Sequence, residues 1–338
     1  MLLHVVLPGL LWPQDSLREA VRDLPLPALE MLLGRSRRAW RAAQPYEHWL
    51  CRAFGVDAEE LPCAALRLSG EGLDPGVATW ICADPAPVRF ARDTLVMGSP
   101  GTLGLSAAEA AALVAALNAG LADAGAFSAG HPERWYLRLD QPPHIVTHPL
   151  SSVIGRSMEP FLARGEAAPA LRRFASEAQV VLHNHPLNAA REAAGALPAN
   201  NVWFWGAGSL PARAAAPAAM LFGDNPLALG LARLAGVPCR PLPEHADRLG
   251  ADGDALLLLE PAAEAAQALD LGAWRSALAQ AERTWFAPLL AALRSGRLAA
   301  LKLTALGDDG VLEAGVTRRD LWKFWRRAAP LDALATPP

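Results

Sequence analysis

Short, largely apolar runs recur along this chain, each bounded by turn residues: LHVVL, VVLHNH, NVWFWG, AAMLFG, ALLLLE and LAALKLTAL. Runs of this length read as strands buried on both faces, the habit of parallel sheets. Between them lie stretches with helical spacing, NPLALGLARLAG (225–236) and WRSALAQAERTWFAPLLAALRSG (274–296). In the second, apolar residues fall at i, i+3, i+4 and i+7, and Gly296 stands where a C-cap belongs. Strands alternating with such helices predict an α/β core around a central, mainly parallel sheet with right-handed crossovers.

Residues 61–149 differ in texture. VATWICADPAPVRFARDTLVM and RWYLRLDQPPHIVTHPL read as short strands and hairpins. SAAEAAALVAALNAGLADAG reads as a helix opened by a capping box of Ser106 and Glu109. The organisation expected is a discontinuous core, 1–60 and 150–338, carrying an inserted α+β domain at 61–149.

Hydrophobic residues make up 52% and charged residues 19% of the 338, so the chain is a globular one. The formal charge of −3 gives no overall electrostatic reason to expect nucleic acid as a partner. MLLHVVLPGLLWP lacks a basic leader and Pro8-Gly9 interrupts it, so it reads as a first buried strand rather than a signal peptide. No apolar run reaches the roughly 18 residues that span a bilayer, and no membrane is expected. Four scattered cysteines without a C-x-x-C pair fit reduced thiols in a cytoplasmic protein.

The sequence has no nucleophile elbow, no phosphate loop of the G-x-x-x-x-G-K-[ST] type and no H-E-x-x-H. GAGSLPAR could cradle an anion, but a lone G-x-G is more simply a turn. His183 and His185 would share one face if they lay on a strand, without an evident third ligand. His144 and His148 likewise lack a companion at ligand spacing. TRRDLWKFWRR reads as a last helix, its aromatics docked and its basic face solvated. Binding of a protein partner, a nucleic acid or an acidic surface stays open for it.

The densest signal runs from His185 to Gly208, H-P-x-N-x-x-R-x-x-x-G-x-x-P-A-N-x-x-W-x-W-G-x-G. This pattern resembles the archaeal-type cofactor-independent phosphoglycerate mutases of the alkaline phosphatase superfamily. LHVVLPGL is similar to that family's first strand, usually V-V-L-D-G. LPALEMLLGR matches its early helix, and LLLEPAAEAAQALD its segment V-E-A-P-D-E-A-G-H-D-G-D. The likeness covers about residues 2–315. It implies an alkaline-phosphatase-like three-layer core with the inserted domain. It also implies two divalent metal ions beside a serine nucleophile, stabilising an in-line phosphoryl displacement.

Aligned to that pattern, the implied serine, the histidines and most of the implied carboxylates are missing. Pro8 replaces the first Asp, Tyr46 the Ser, Glu47 the next Asp, Ala263 a third Asp and Gln267 a His. The D-H-G motif reads Asp308-Asp309-Gly310, and no histidine follows His245. The expectation is therefore a pseudoenzyme without metal or cofactor, similar to the bacterial RpfE-type regulatory proteins. In the region that the family places beside substrate, Asn188, Arg191, Asn200 and His185 are the candidates for a small anion, phosphate or carboxylate. Two alternatives remain. One is altered phosphoryl transfer using Tyr46, Glu47 and His48. The other is a protein-binding module built on Trp322 and Trp325.

Overall fold

The computed structural model describes residues 1–91, 94–122, 125–250 and 253–334. Its strands, in chain order, begin with β1 (Leu2–Pro8), β2 (Arg37–Arg41), β3 (Thr79–Ala86), β4 (Val88–Ala91) and β5 (Thr94–Met97). They continue with β6 (Ala126–His131), β7 (Arg134–Leu139), β8 (Asn201–Gly208) and β9 (Met220–Phe222). The last are β10 (Cys239–Arg240), β11 (Ala255–Leu258), β12 (Ala300–Gly307) and β13 (Gly310–Thr317). Arg92 and Asp93, inside one expected hairpin, lie outside the described residues.

The chain divides into two compact units, one of residues 1–49, 216–225 and 236–338, the other of residues 50–215 and 226–235. The second unit is thus wider than the expected 61–149, because β8 pairs antiparallel with β3 and takes its flanks with it.

The first unit holds a seven-stranded sheet in the order β10-β9-β11-β1-β12-β13-β2. β10, β9, β11, β1 and β12 are parallel, while β13 and β2 extend the sheet antiparallel. The α/β expectation with a central, mainly parallel sheet is met. β1 lies inside the sheet, and Leu3, Val5 and Leu7 on one of its faces are fully or nearly buried. They join a core with Leu29, Leu32, Trp274, Phe286 and Leu293. The helical segment 271–295 carries a π-helical turn at Glu282–Phe286 and ends at Gly296 in the left-handed conformation, φ 84°. The extra residue of the π turn accompanies a side chain turned to a neighbour: Glu282 accepts the Ala28 and Leu29 amides at 2.6 and 3.1 Å. Those amides open helix Pro27–Arg35, which has no side-chain cap of its own.

The second unit is built on a four-stranded antiparallel sheet, β6-β7-β3-β8. Helix Ala107–Gly120 opens with the expected capping box of Ser106 and Glu109. At its centre Arg67 forks onto Asp84 at 2.8 and 2.6 Å, both buried. Tyr136 and Trp205 cover the guanidinium, and the Trp205 indole N–H also binds Asp84.

Two expected elements differ. VVLHNH is not a strand but the end of helix Ala168–His183, in which Ala178 and Leu182 are buried and Val180 is exposed. A short apolar run cannot by itself tell a helix end from a strand. His183 therefore ends one helix and His185 caps the next, so they share no strand face. TRRDLWKFWRR forms only a 3-10 turn at Asp320–Trp322. Asp320 accepts the Thr317 amide at 3.0 Å and its hydroxyl at 2.7 Å, and it pairs with Lys323. Side-chain bonds of this kind hold the backbone in a turn instead of a helix.

Two stability predictions follow from these buried polar groups. Asp84→Ala leaves the Arg67 charge buried and unpaired, and should cost about 3–5 kcal/mol in denaturant unfolding. His4, on β1, bonds the Thr304 hydroxyl at 2.8 Å and meets the edge of Trp49. Burial, followed by Lys302, lowers its pKa to about 4. The unfolded chain then takes up a proton that the folded one refuses. Stability should fall as pH drops from about 6.5 to about 4, by at most about 3 kcal/mol. His4→Gln should flatten that limb of the stability–pH curve.

Candidate functional site

In a parallel sheet, ligand sites collect beyond the carboxyl ends of the strands. In the first unit those ends bring Pro8, Asp224, Glu260 and Asp308 to one side, following β1, β9, β11 and β12. Tyr46 and Glu47 open helix Tyr46–Ala53.

The end of β1 is closed. Pro8 is buried in register with Leu306, and the chain turns sharply at Gly9, φ 75°. A Cβ on Gly9 would lie 2.7 Å from the Ala262 carbonyl oxygen and from the Ala263 Cα. The Gly9 carbonyl is held by the Trp274 indole N–H at 2.7 Å. The segment carrying Ala263 is thus packed directly on the turn after Pro8, and neither side chain offers a donor atom for a cation. Gln267 ends the short helix Ala263–Gln267. Asp308 and Asp309 form the exposed two-residue turn between β12 and β13.

Tyr46 faces three carboxylates. Its hydroxyl is enclosed beside the Glu260 carboxylate, its one close acceptor among the described residues, though not in a well-formed hydrogen bond. Burial, then Glu260, Glu47 and Asp224, push its pKa well above the ordinary value. Glu260 in turn is raised, chiefly by burial, and it accepts the Asn225 side-chain amide at 2.9 Å. The phenol therefore keeps its proton at neutral pH, which makes it a poor nucleophile. Asp224 and Asn225 were not foreseen; the only sequence signal was GDNP directly after the AAMLFG strand. Among the described residues, no group of three or more His, Cys, Asp or Glu side chains is placed to share a metal ion.

The candidate anion residues lie in the second unit, and each spends its polar atoms on the chain itself. His185 caps helix Pro186–Ala193 by accepting the Leu187 amide. Asn188, buried, donates to the Leu182 and Ala199 carbonyls and accepts the Ala199 amide. Asn200 meets both backbone groups of Val88, at 2.8 and 3.0 Å. Arg191 donates to the carbonyls of Leu197 and Leu103 and pairs with Glu109 at 2.6 Å. Glu109 is lowered to about 2, first by its bonds to Ser106 and then by Arg191. GAG is not a free anion cradle either. Gly206 and Gly208 lie within β8, and a Cβ on Gly206, φ 68°, would stand 2.7 Å from the Cys63 Cβ.

His144 and His148 are loop residues. The His148 ring meets Phe161 edge-on, and burial, then Arg164, lowers its pKa.

No family model matches this chain. Relatives match parts of it. A protein of Geobacter sulfurreducens, named a probable 2,3-bisphosphoglycerate-independent phosphoglycerate mutase, is 37% identical over 70 residues, 21% of this chain and 16% of that protein. The 2,3-bisphosphoglycerate-independent phosphoglycerate mutase 2 of Methanothermobacter thermautotrophicus is 32% identical over 117 residues, 32% of this chain and 27% of the relative. The matched stretch thus spans about a quarter or less of either relative's length. Among solved structures, the cofactor-independent phosphoglycerate mutase of Thermoplasma acidophilum covers all of this chain and 95% of its own, with a TM-score of 0.51 at 18% identity. A Pyrococcus horikoshii protein covers 98% and 91%, with a TM-score of 0.53 at 16% identity. The chain has the fold of the cofactor-independent phosphoglycerate mutases, and parts of its sequence are similar to theirs.

Arg191→Ala removes three hydrogen-bonded contacts from a buried loop and should cost about 3 kcal/mol in thermal or denaturant unfolding. Arg191→Lys should recover little, since one ammonium cannot reach all three acceptors. If the loop held an anion instead, millimolar 3-phosphoglycerate would raise the melting temperature of the wild-type protein and not of Arg191→Lys.

Proposed function

We propose that this protein is a non-catalytic relative of the phosphoglycerate mutases, a pseudoenzyme that acts by binding a ligand or partner in a regulatory role. The observation that carries this reading is the state of the strand ends. Where the family resemblance implies an aspartate and a serine, Pro8 is buried in the sheet and Tyr46 is an enclosed, protonated phenol. Ala263 and Gln267 supply neither a carboxylate nor an imidazole at two further implied ligand positions. A two-metal clamp needs several anionic or imidazole donors converging on each ion. The carboxylates that remain, Glu47, Asp224 and Glu260, act together on Tyr46.

The reading extends to the segment of residues 185–208, whose Asn188, Arg191 and Asn200 serve as hydrogen-bond partners for the backbone. An anion there would have to displace Glu109 from Arg191. A cytoplasmic location is supported by Cys51, Cys63 and Cys82, which are buried and outside any disulfide among the described residues. Among the described residues no helix is long and apolar enough to cross a membrane.

The test is calorimetric titration of chelator-stripped protein with Mn²⁺ and Zn²⁺, paired with an assay of 2- and 3-phosphoglycerate interconversion. No stoichiometric metal binding and no turnover are expected, and Tyr46→Phe should leave thermal stability unchanged or higher. Two tight metal equivalents, or phosphate recovered on Tyr46 after incubation with phosphoglycerate, would sink the reading and favour altered phosphoryl transfer.

A further inference from the structure

The face of the first unit formed by its β2 edge and its last described segment has no part in the degenerate site. β2 reads Arg-Arg-Ala-Trp-Arg, pairs among the described residues only with β13, and exposes Arg37, Arg38 and Arg41. One groove beside it, of about 700 Å³, is lined by Arg37, Arg38, Arg326 and Arg327. A second, of about 980 Å³, is lined by Arg37, Lys302, Arg318, Arg319 and Lys323; Asp320, its one acidic lining residue among those described, pairs with Lys323, and Lys302 pairs with Glu313 at 3.0 Å, which leaves the arginines as the surplus of positive charge. Arg37 belongs to both, so the grooves meet at the start of β2. The chain as a whole carries a charge of −3, so this face is a local concentration of positive charge.

Three aromatic rings stand on the turn that leads from the lining of one groove into that of the other. Trp322 is 75% exposed, Phe324 82% and Trp325 67%. The turn is fastened on both sides. Asp320 anchors its start on Thr317 and Lys323. Further on, Arg326 donates to the Ser36 carbonyl at 3.0 Å and the Ala329 amide to the Glu30 carbonyl at 2.9 Å. The rings therefore point outward from a segment held in place. Exposed aromatics grouped this way mark an interaction site.

We infer that this face binds single-stranded nucleic acid, phosphodiesters tracking the arginine-lined grooves and bases stacking on Trp322, Phe324 and Trp325. Charge and rings decide the occupant together. Arginine suits phosphate because its planar fork binds two oxygens at once, and a base offers a flat π face to an exposed indole. An acidic peptide would answer the charge but leave the rings uncovered. A flat bilayer would cover the rings but not fill the recessed grooves. A second copy of the same face would repel this one. The reading does not rest on the loss of catalysis, since none of these residues belongs to the strand-end site.

The test is fluorescence anisotropy with labelled oligouridylate and oligothymidylate of about 15 nucleotides and a duplex of the same length, over a salt series. Binding of either single strand, tighter than the duplex, with affinity falling as salt rises, is expected. Preference for the ribose or the deoxyribose strand identifies which nucleic acid is the source. Trp322→Ala/Trp325→Ala should weaken binding by about tenfold or more, and Trp322→Phe/Trp325→Phe should restore most of it. Arg37→Gln/Arg38→Gln should make the slope of log K against log salt shallower by about 1.4. All these positions are exposed, and unchanged melting temperatures of the variants would separate lost binding from lost folding. Three results would overturn the inference: no single-strand binding, binding untouched by both sets of variants, or duplex binding as tight as single strand. Sedimentation with anionic phosphatidylserine vesicles, abolished by the same variants in the absence of oligonucleotide binding, would assign the face to a membrane surface instead.

Discussion

β1 is the strand to which the rest of the first unit is referred. It bonds to β11 along one edge and to β12 along the other, and its inward side chains seed the core beneath helix Pro27–Arg35 and the segment 271–295. Its end is fixed as firmly as its middle. Gly9 turns with a positive φ against Ala262, and Trp274 holds its carbonyl. A side chain larger than hydrogen at Gly9 would push that packing apart, since backbone atoms lie 2.7 Å from where its Cβ would be. The end of β1, at Pro8 and Gly9, is a packing junction in this chain. Packing junctions and metal sites make opposite demands: the first excludes water and polar atoms, the second needs converging polar atoms with room for an ion.

Much of the fold was legible because periodicity and punctuation carried it. The runs at β1, β9, β11 and β12, the capping box at Ser106 and the C-cap at Gly296 all left local signals, and local signals survive without tertiary knowledge. What stayed hidden was decided by distant partners. VVLH could end a helix because Leu182 and Ala178 found a core to enter while Val180 faced water. NVWFWG left the parallel sheet because β3 offered it an antiparallel edge. The Glu282 carboxylate could not be matched to helix Pro27–Arg35, some 250 residues away in sequence, from spacing alone.

The candidate site divided in the same way. That Pro8, Ala263 and Gln267 carry neither carboxylate nor imidazole could be read directly, because a side chain's donor atoms are a property of its type. Whether Arg191 was available to an anion could not, since availability depends on what else it touches. In the structure Glu109 serves two purposes, closing the capping box of one helix and neutralising Arg191 across the loop. Asn188 and Asn200 each present an amide to main-chain groups, Asn188 to those of Leu182 and Ala199 and Asn200 to those of Val88, so side chains here satisfy peptide groups that regular pairing leaves over. The hydrogen bonds that Asn188, Arg191 and Asn200 make within the chain are by themselves a structural reason for these residue types.

Net charge misleads for a related reason: it is a sum, and a partner meets a surface. The −3 of the whole chain conceals a face on which, among the described residues, eight basic side chains line two adjoining grooves, two of them answered by Asp320 and Glu313 and the six arginines left as surplus. Regular helix formation at TRRDLWKFWRR would have alternated charge and ring around an axis and buried one set of them. Asp320 stops that by binding the Thr317 hydroxyl and amide, and the chain then runs on as a turn that leaves Trp322, Phe324 and Trp325 in water. Keeping three large rings hydrated forgoes the stabilisation that their burial would bring, each worth on the order of 2 kcal/mol. The bonds from Arg326 and Ala329 that tie this segment down cannot be credited with ordering the rings toward the protein, because they leave them facing away. The geometry is therefore better understood as holding the rings out than as failing to bury them.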